Sequence, residues 1–370
     1  MNVLSLFNGM SFGKIALESL DIKVTKYYSS EIDKYANQAT QTLFPDTIQL
    51  GDITQWRDWD VDWASIDLVT GGFPCQAWSM AGKQLGDKDE RGMLFWTMLD
   101  IMKHIQSVNP KVNFMIENVK MKKEFEEYIT THTENALGEV YKILINSALV
   151  SAQNRNRYYW TSFEVNQPVD KGVLLKDIIE HETDKKFKLT ETCVNRLSKY
   201  NNSEKMLGKS DKSLCLIAGY HKMGRDNTYI KYKILHDLYD QYPAPIKQSI
   251  MSLNDNDRVK AVTENDRGYR PHKNDASKSG ISELGRILKN EADKTDTVTT
   301  SHMPKLAINA DIKNLHYRKL TPRECFRLQT VPEHYIDTLL NAGISNTQLY
   351  KMCGNGWTME VIAHIFKGLK

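Results

Sequence analysis

A chain of 370 residues, 41% hydrophobic and 26% charged, is long for one domain and suits two, or one large domain with an insertion. No apolar run approaches the roughly 20 residues of a membrane span, and the N-terminus, MNVLSLFNGM, lacks the basic stretch and cleavage site of a secretory leader, so a cytoplasmic protein is expected. The net charge of +3 hides an asymmetry: Thr183 to Leu320 carries 26 Lys/Arg against 17 Asp/Glu, a net of +9, which leaves −6 on the remainder and points to a phosphate-bearing partner for the basic segment.

The first 165 residues alternate short apolar runs with helical patterns. VLSLF (Val3–Phe7) reads as a buried strand, followed by a helical stretch with Ile15, Leu17 and Leu20 as its apolar positions. VTKYYSSEID reads as a second strand ending near Glu31, and DLVTGG (Asp67–Gly72) as a strand stopped by two glycines. RGMLFWTMLDIMKHIQ places Leu94, Met98, Ile101, Met102 and Ile105 at helical spacing. VNFMIENV is a strand with a polar tip at Glu117, and EVYKILIN and RYYWTSF complete the set. Such alternation predicts a doubly wound α/β sheet, in which ligands sit beyond the carboxyl ends of the strands. Phe7–Gly9, Glu31, Gly71–Cys75 and Glu117–Val119 all fall at such ends.

After Phe163 the pattern loosens. Turn signals such as YNNSEK, MGRDN and PHKNDASKSG, with interleaved tyrosines and short apolar pieces, predict a small irregular folded domain. Order returns from Tyr317: Thr321, Pro322 and Glu324 form a helix start, and a terminal helix begins near Met359.

The five cysteines, Cys75, Cys193, Cys215, Cys325 and Cys353, are far apart and include no CxxC, which argues against a disulfide framework or a structural zinc site. The histidines have no metal-ligand spacing, and no metal is expected. Cys75 differs from the other four. Gly71, Gly72 and Pro74 make a tight turn at a strand end that holds it out of the core, which suits chemistry as well as packing. Elsewhere, Glu117 in ENV is a strand-end carboxylate, Arg155 and Arg157 in QNRNR alternate onto one face of an extended segment, and GNG (Gly354–Gly356) reads as a tight polar turn before a helix.

Taken together, these stretches resemble the DNA cytosine-5 methyltransferase family. LFNGMSFGKIALESL is similar to its cofactor loop, SSEIDKYA and GDIT to its second and third motifs, GGFPCQAWSMAGKQ to the nucleophile motif, FMIENV to the glutamate motif and QNRNRYYW to the QxRxR motif. RKLTPRECFRLQTVP and GNGWTMEVI are similar to the last two, and all eight occur in family order. The resemblance implies a Rossmann-like methyltransferase domain over residues 1–180, an irregular α+β target recognition domain over 181–316, and C-terminal motifs over 317–370 whose final helix returns to the catalytic domain.

It further implies that Cys75 adds to C6 of a flipped-out cytosine, that Glu117 holds and protonates N3, and that Arg157 holds O2 with Arg155 in support. Gln76, Ser79 and Asn118 are implied in substrate binding. The S-adenosyl-L-methionine pocket would be built from Phe7, Gly9, Glu31, Ile32, Asp52, Ile53, Pro74, Leu94, Asn355 and Trp357. Double-stranded DNA is the expected partner, and a monomer the expected state. Cys193, Cys215, Cys325 and Cys353 are expected to pack, and Arg323 and Glu324 to brace the inter-domain hinge.

Two features depart from the common bacterial pattern. Its glycine pair falls on Ser11 and Phe12, with a glycine displaced to Gly13, and this arrangement and Trp357 are similar to the animal de novo enzymes. An RNA-directed relative would have a short recognition segment, whereas here it is about 130 residues and basic. An amino-methylating enzyme would need an acid- or asparagine-headed Pro-Pro-aromatic motif where FPCQ stands.

Overall fold

Strand β1 (Asn2–Leu6) is the centre from which a seven-stranded sheet is built in a computed structural model of the chain. The structure describes residues 1–74, 90–180, 183–190, 192–193, 212–222, 229–232 and 316–369. To one side of β1 lie β2 (Lys26–Ser30) and β3 (Ile48–Gln49), and to the other β4 (Leu68–Gly71) and β5 (Asn113–Val119), all parallel. Beyond β5 come β7 (Asn156–Thr161) and the edge strand β6 (Tyr141–Asn146), and β7 is antiparallel to both its neighbours. The order β3-β2-β1-β4-β5-β7-β6 reverses between β1 and β4, the switch point where an α/β sheet opens a crevice for a ligand.

The sheet is buried on both faces, and alternate residues of each strand enter different cores. Val3, Leu68 and Met115 join one cluster, with α1 (Phe12–Glu18), α2 (Lys34–Leu43) and the C-terminal helices. Leu4, Leu6, Val69, Phe114 and Ile116 join the other, with α3 (Glu90–Val108) and α4 (Lys123–Leu137). The C-terminal helices are α5 (Pro322–Leu328), α6 (Glu333–Leu340), α7 (Asn346–Asn355) and α8 (Met359–Phe366). The last residues of the chain therefore share a core with the first helix. Val361, Ile362, Ile365 and Phe366 are fully buried there, and each such side chain stabilises the fold by about 1.5–3 kcal/mol.

The predicted start of α5 is present as a full capping box: the Thr321 hydroxyl accepts from the Glu324 amide at 3.1 Å, and the Glu324 carboxylate accepts from the Thr321 amide at 2.7 Å. Arg323 pairs at 2.6 Å with both Glu333 and Asp337 of α6, and Glu324 also accepts from the Glu180 amide at 2.7 Å. These two residues tie α5 to α6 and to the turn at Glu180.

The chain divides into two compact units, Met1–Ile230 with Lys319–Lys370, and Lys231–Arg318. Strands β8 (Tyr229–Tyr232) and β9 (His316–Lys319) stand where the division falls, and most of the second unit lies outside the described residues. Among the described residues no helix is long and apolar enough to cross a membrane.

Candidate active site

The carboxyl ends of the parallel strands bring four predicted pieces to one edge of the sheet. Phe7–Gly9 follows β1, Glu31 follows β2, Gly72–Pro74 follows β4, and Glu117 lies near the carboxyl end of β5. Because β7 runs antiparallel, its N-terminal end meets this same edge. Glu117 stands opposite Tyr159, and Arg157 opposite Val119, so Glu117 and Arg157 are diagonal neighbours on one sheet face. The diagonal closes as an ion pair: Arg157 Nε lies 2.9 Å from Glu117 Oε1.

The other carboxylate oxygen is also held. Trp357, between α7 and α8, donates its indole N–H to Glu117 Oε2 at 3.1 Å, and both side chains are 8% exposed. The fit beneath them is tight. A Cβ on Gly72 would sit 2.9 Å from Glu117 Oε2 and 3.2 Å from Trp357 Nε1, so this position needs a residue with no side chain. Asn118, buried beside Glu117, donates its amide to the Phe73 carbonyl at 3.1 Å. In the structure it braces the chain that leads to Cys75. Cys75, Gln76 and Ser79 themselves lie outside the described residues.

Arg155, 3% exposed, spends most of its guanidinium on backbone carbonyls. It donates to the carbonyls of Gly356 at 2.8 Å, Leu216 at 3.0 Å and Gly354 at 3.2 Å. Burial first, and the Arg157 charge second, lower its pKa from the ordinary guanidinium value. The GNG stretch is not a free turn: α7 runs through Asn355, and the Gly356 amide continues the helical ladder to the Met352 carbonyl at 2.8 Å. Glycine is required inside that helix because a Cβ on Gly354 would sit 2.2 Å from the Ala218 nitrogen. Such an approach to a distant backbone cannot be read from a local turn signal.

Two further residues were not singled out from the sequence. Cys215, expected only to pack, has its sulfur 3.3 Å from Arg155 Nη1 and 3.8 Å from Arg157 Nη2. Burial alone would raise its thiol pKa, but the two guanidinium charges outweigh that and lower it. Cys325 and Cys353, by contrast, are buried packing residues whose thiols burial pushes well up. Gln329, after α5, donates to the Cys353 carbonyl at 2.6 Å and accepts from the Thr358 hydroxyl at 2.9 Å, fixing the approach to Trp357 from both sides. No sequence signal marked Cys215, whose partners lie about 60 residues away.

Of the expected cofactor residues, Phe7, Gly9, Glu31 and Pro74 follow strands at this same edge. Phe7 and Gly9 both adopt positive φ, 54° and 59°, which turns the chain sharply off β1. Glu31 Oε2 accepts from the Gly9 amide at 2.8 Å, and Oε1 from the Ile32 and Asp33 amides. Ile32 is 77% exposed beside that carboxylate, an apolar side chain left in the open next to an acid. Asp52 is exposed and caps the following 3-10 helix through the Thr54 amide at 2.9 Å, while Ile53 is buried. Pro74 and Leu94 are half-buried, and Asn355 is exposed at the end of α7. An acid at a strand end, an aromatic at the loop and an exposed aliphatic suit a ribose with an attached flat ring.

The whole chain, residues 1–370, matches the family model described as C-5 cytosine-specific DNA methylase. An orphan methyltransferase of Bacillus phage SPR is 27% identical, with 100% of this chain and 97% of that protein covered. A type II methyltransferase of Haemophilus parainfluenzae is also 27% identical, over 97% of this chain and 86% of its own. Among solved structures, a methyltransferase of Entamoeba histolytica superposes with a TM-score of 0.63 at 17% identity, covering 100% and 99% of the two chains. A DNMT2 mutant of Spodoptera frugiperda gives 0.58 at 19%, covering 99% and 98%. Both structures share the fold of this chain.

Proposed function

The chain belongs to the C-5 cytosine-specific DNA methylase family, and we propose that it moves a methyl group from S-adenosyl-L-methionine to C5 of one flipped-out cytosine in a specific double-stranded DNA sequence, through a covalent bond between Cys75 and C6. That it methylates DNA cytosine follows from the family; the donor, the covalent step and the residue roles are the proposal. The observation that carries it is the Glu117–Arg157 pair at the sheet edge, 2.9 Å apart and shielded from water.

Cytosine C5 is too weak a nucleophile to attack a methyl donor unaided. The Cys75 thiolate forms an S–C6 bond, and the displaced ring electrons make C5 the attacking carbon. Glu117 faces N3, accepting from the exocyclic amine and supplying the proton that makes C6 electrophilic. Arg157, held in place by Glu117, would face O2. Once C5 has bonded the methyl carbon, with the donor sulfur keeping the electron pair of the broken bond, a base such as water takes the C5 proton. The electrons return and expel the Cys75 sulfur, and the N3 proton goes back to Glu117, restoring the neutral aromatic ring. None of these groups can reach a stacked base, so the cytosine leaves the duplex. Phe7, Gly9, Glu31, Ile32, Asp52, Ile53, Pro74, Leu94, Asn355 and Trp357 would hold the cofactor, with Glu31 turned to the ribose hydroxyls. Residues 181–316, within the basic stretch, would read the target sequence from the grooves.

Bisulfite sequencing of DNA from cells making the protein, beside a Cys75→Ser control, tests the reading. Protected cytosines in one sequence context are expected with the unsubstituted chain only. Modification confined to RNA, or none at all, defeats it.

A further inference from the structure

The indole of Trp357 makes two contacts of different kinds. Its N–H reaches the base side of the site, at 3.1 Å from Glu117 Oε2. Its six-membered ring lies over the first turn of α1, within the stretch that resembles the cofactor motif, where a Cβ on Gly13 would sit 3.3 Å from Cζ3. One side chain thus touches both the cofactor loop and the carboxylate that meets the base.

A glutamate needs that second donor. The terminal torsion of its carboxylate is broad and roughly two-fold, so a single partner fixes one oxygen and leaves the plane loose. Arg157 of β7 holds Oε1 and Trp357, between α7 and α8, holds Oε2, while the missing side chain at Gly72 leaves the space that this arrangement occupies. Each oxygen keeps a second lone pair for the substrate. Among the described residues the buried Trp357 N–H donates to Glu117, and its ring lies close to Gly13 and Gly72.

We propose that Trp357 is a positioning residue for Glu117, acting through its indole N–H, in addition to any packing its ring offers the cofactor. The inference rests on the role proposed above for Glu117. It separates the two halves of one side chain: the ring would serve binding, and the N–H the chemical step.

The test uses the full-length enzyme, labelled S-adenosyl-L-methionine and a duplex holding the target sequence. Trp357→Phe keeps an aromatic ring and removes the N–H. Losing one hydrogen bond to a charged group lowers kcat roughly tenfold, while KM for the cofactor stays within about twofold because the ring remains. Trp357→Ala removes both parts and raises that KM as well. If Trp357→Phe melts below the wild type, the isosteric analogue benzothienylalanine at position 357, with sulfur in place of N–H, decides between the outcomes. A wild-type kcat in the well-folded variant overturns the proposal, and so does a loss of kcat matched by a rise in KM. Absence of methylation by the unsubstituted enzyme would instead defeat the functional reading.

Discussion

At the scale of single residues, Ser11 shows how a departure from a familiar pattern is made to work. It sits at φ 67°, in the left-handed region, where a non-glycine residue costs about 1–2 kcal/mol. Its hydroxyl repays part of this by hydrogen bonds to Asn8 Nδ2 at 2.8 Å and to the Thr40 hydroxyl at 3.0 Å. Each is worth about 1 kcal/mol net. Ser11→Gly therefore removes strain and bonds together, and the change in stability should stay within about 1 kcal/mol. Ser11→Val removes the same bonds but keeps the strain and adds a β-branch at a fully buried position, and should lose about 3 kcal/mol. Thermal unfolding of the two variants checks this, and a valine variant as stable as the glycine one would sink it. The sequence showed that a glycine position had become serine. It did not show what compensates, because Thr40 lies 29 residues away. The same limit applies to Trp357, whose ring was read as a cofactor contact while its hydrogen-bond partner stands 240 residues earlier.

At the scale of elements, local signals were read well and long-range ones were not. The start of α5 was legible because a capping box is contained in four consecutive residues. The end of α7 was not, because glycine at 354 answers to the backbone of Ile217 and Ala218. The joint between α2 and α7 is of the second kind. Lys351 of α7 lies 2.5 Å from Asp33, the N-cap of α2. Partial burial alone would raise the Asp33 carboxyl, but the Lys351 ammonium and the amides of Tyr35 and Ala36 outweigh it and hold its pKa below the ordinary value. A depressed carboxyl stabilises the fold above its unfolded pKa of about 3.9, and that contribution is lost as pH falls through the folded value. Both partners are partly exposed, so Lys351→Met should cost less than about 1 kcal/mol near neutrality. The difference from wild type should shrink as the pH drops below about 4. Melting curves at the two pH values measure it, and a penalty that grows in acid would reverse the sign of the argument.

For the molecule as a whole, the doubly wound α/β class was legible because alternation and strand ends are local properties of the sequence, whereas the strand order β3-β2-β1-β4-β5-β7-β6 was not. The basic stretch was legible as charge, which says what kind of partner it meets but not which bases it reads. Periodicity and charge do not convey that the sheet-bearing unit is written in two separate passages, Met1–Ile230 and Lys319–Lys370; only the motif resemblance, with its final helix returning to the catalytic domain, pointed to it. A ribosome that has released the first passage has made every strand of the large sheet. It has not yet made the helix that covers α1 or the tryptophan that meets Glu117. The helix against α1 and the donor to Glu117 Oε2 thus come only from the second passage. The same arrangement makes the protein divisible. Fragments 1–230 and 319–370, produced together with an affinity tag on one, should be recovered as a one-to-one pair. The larger fragment made alone should aggregate through the uncovered face of α1, and its recovery as a soluble monomer would show that the second passage is dispensable to the first.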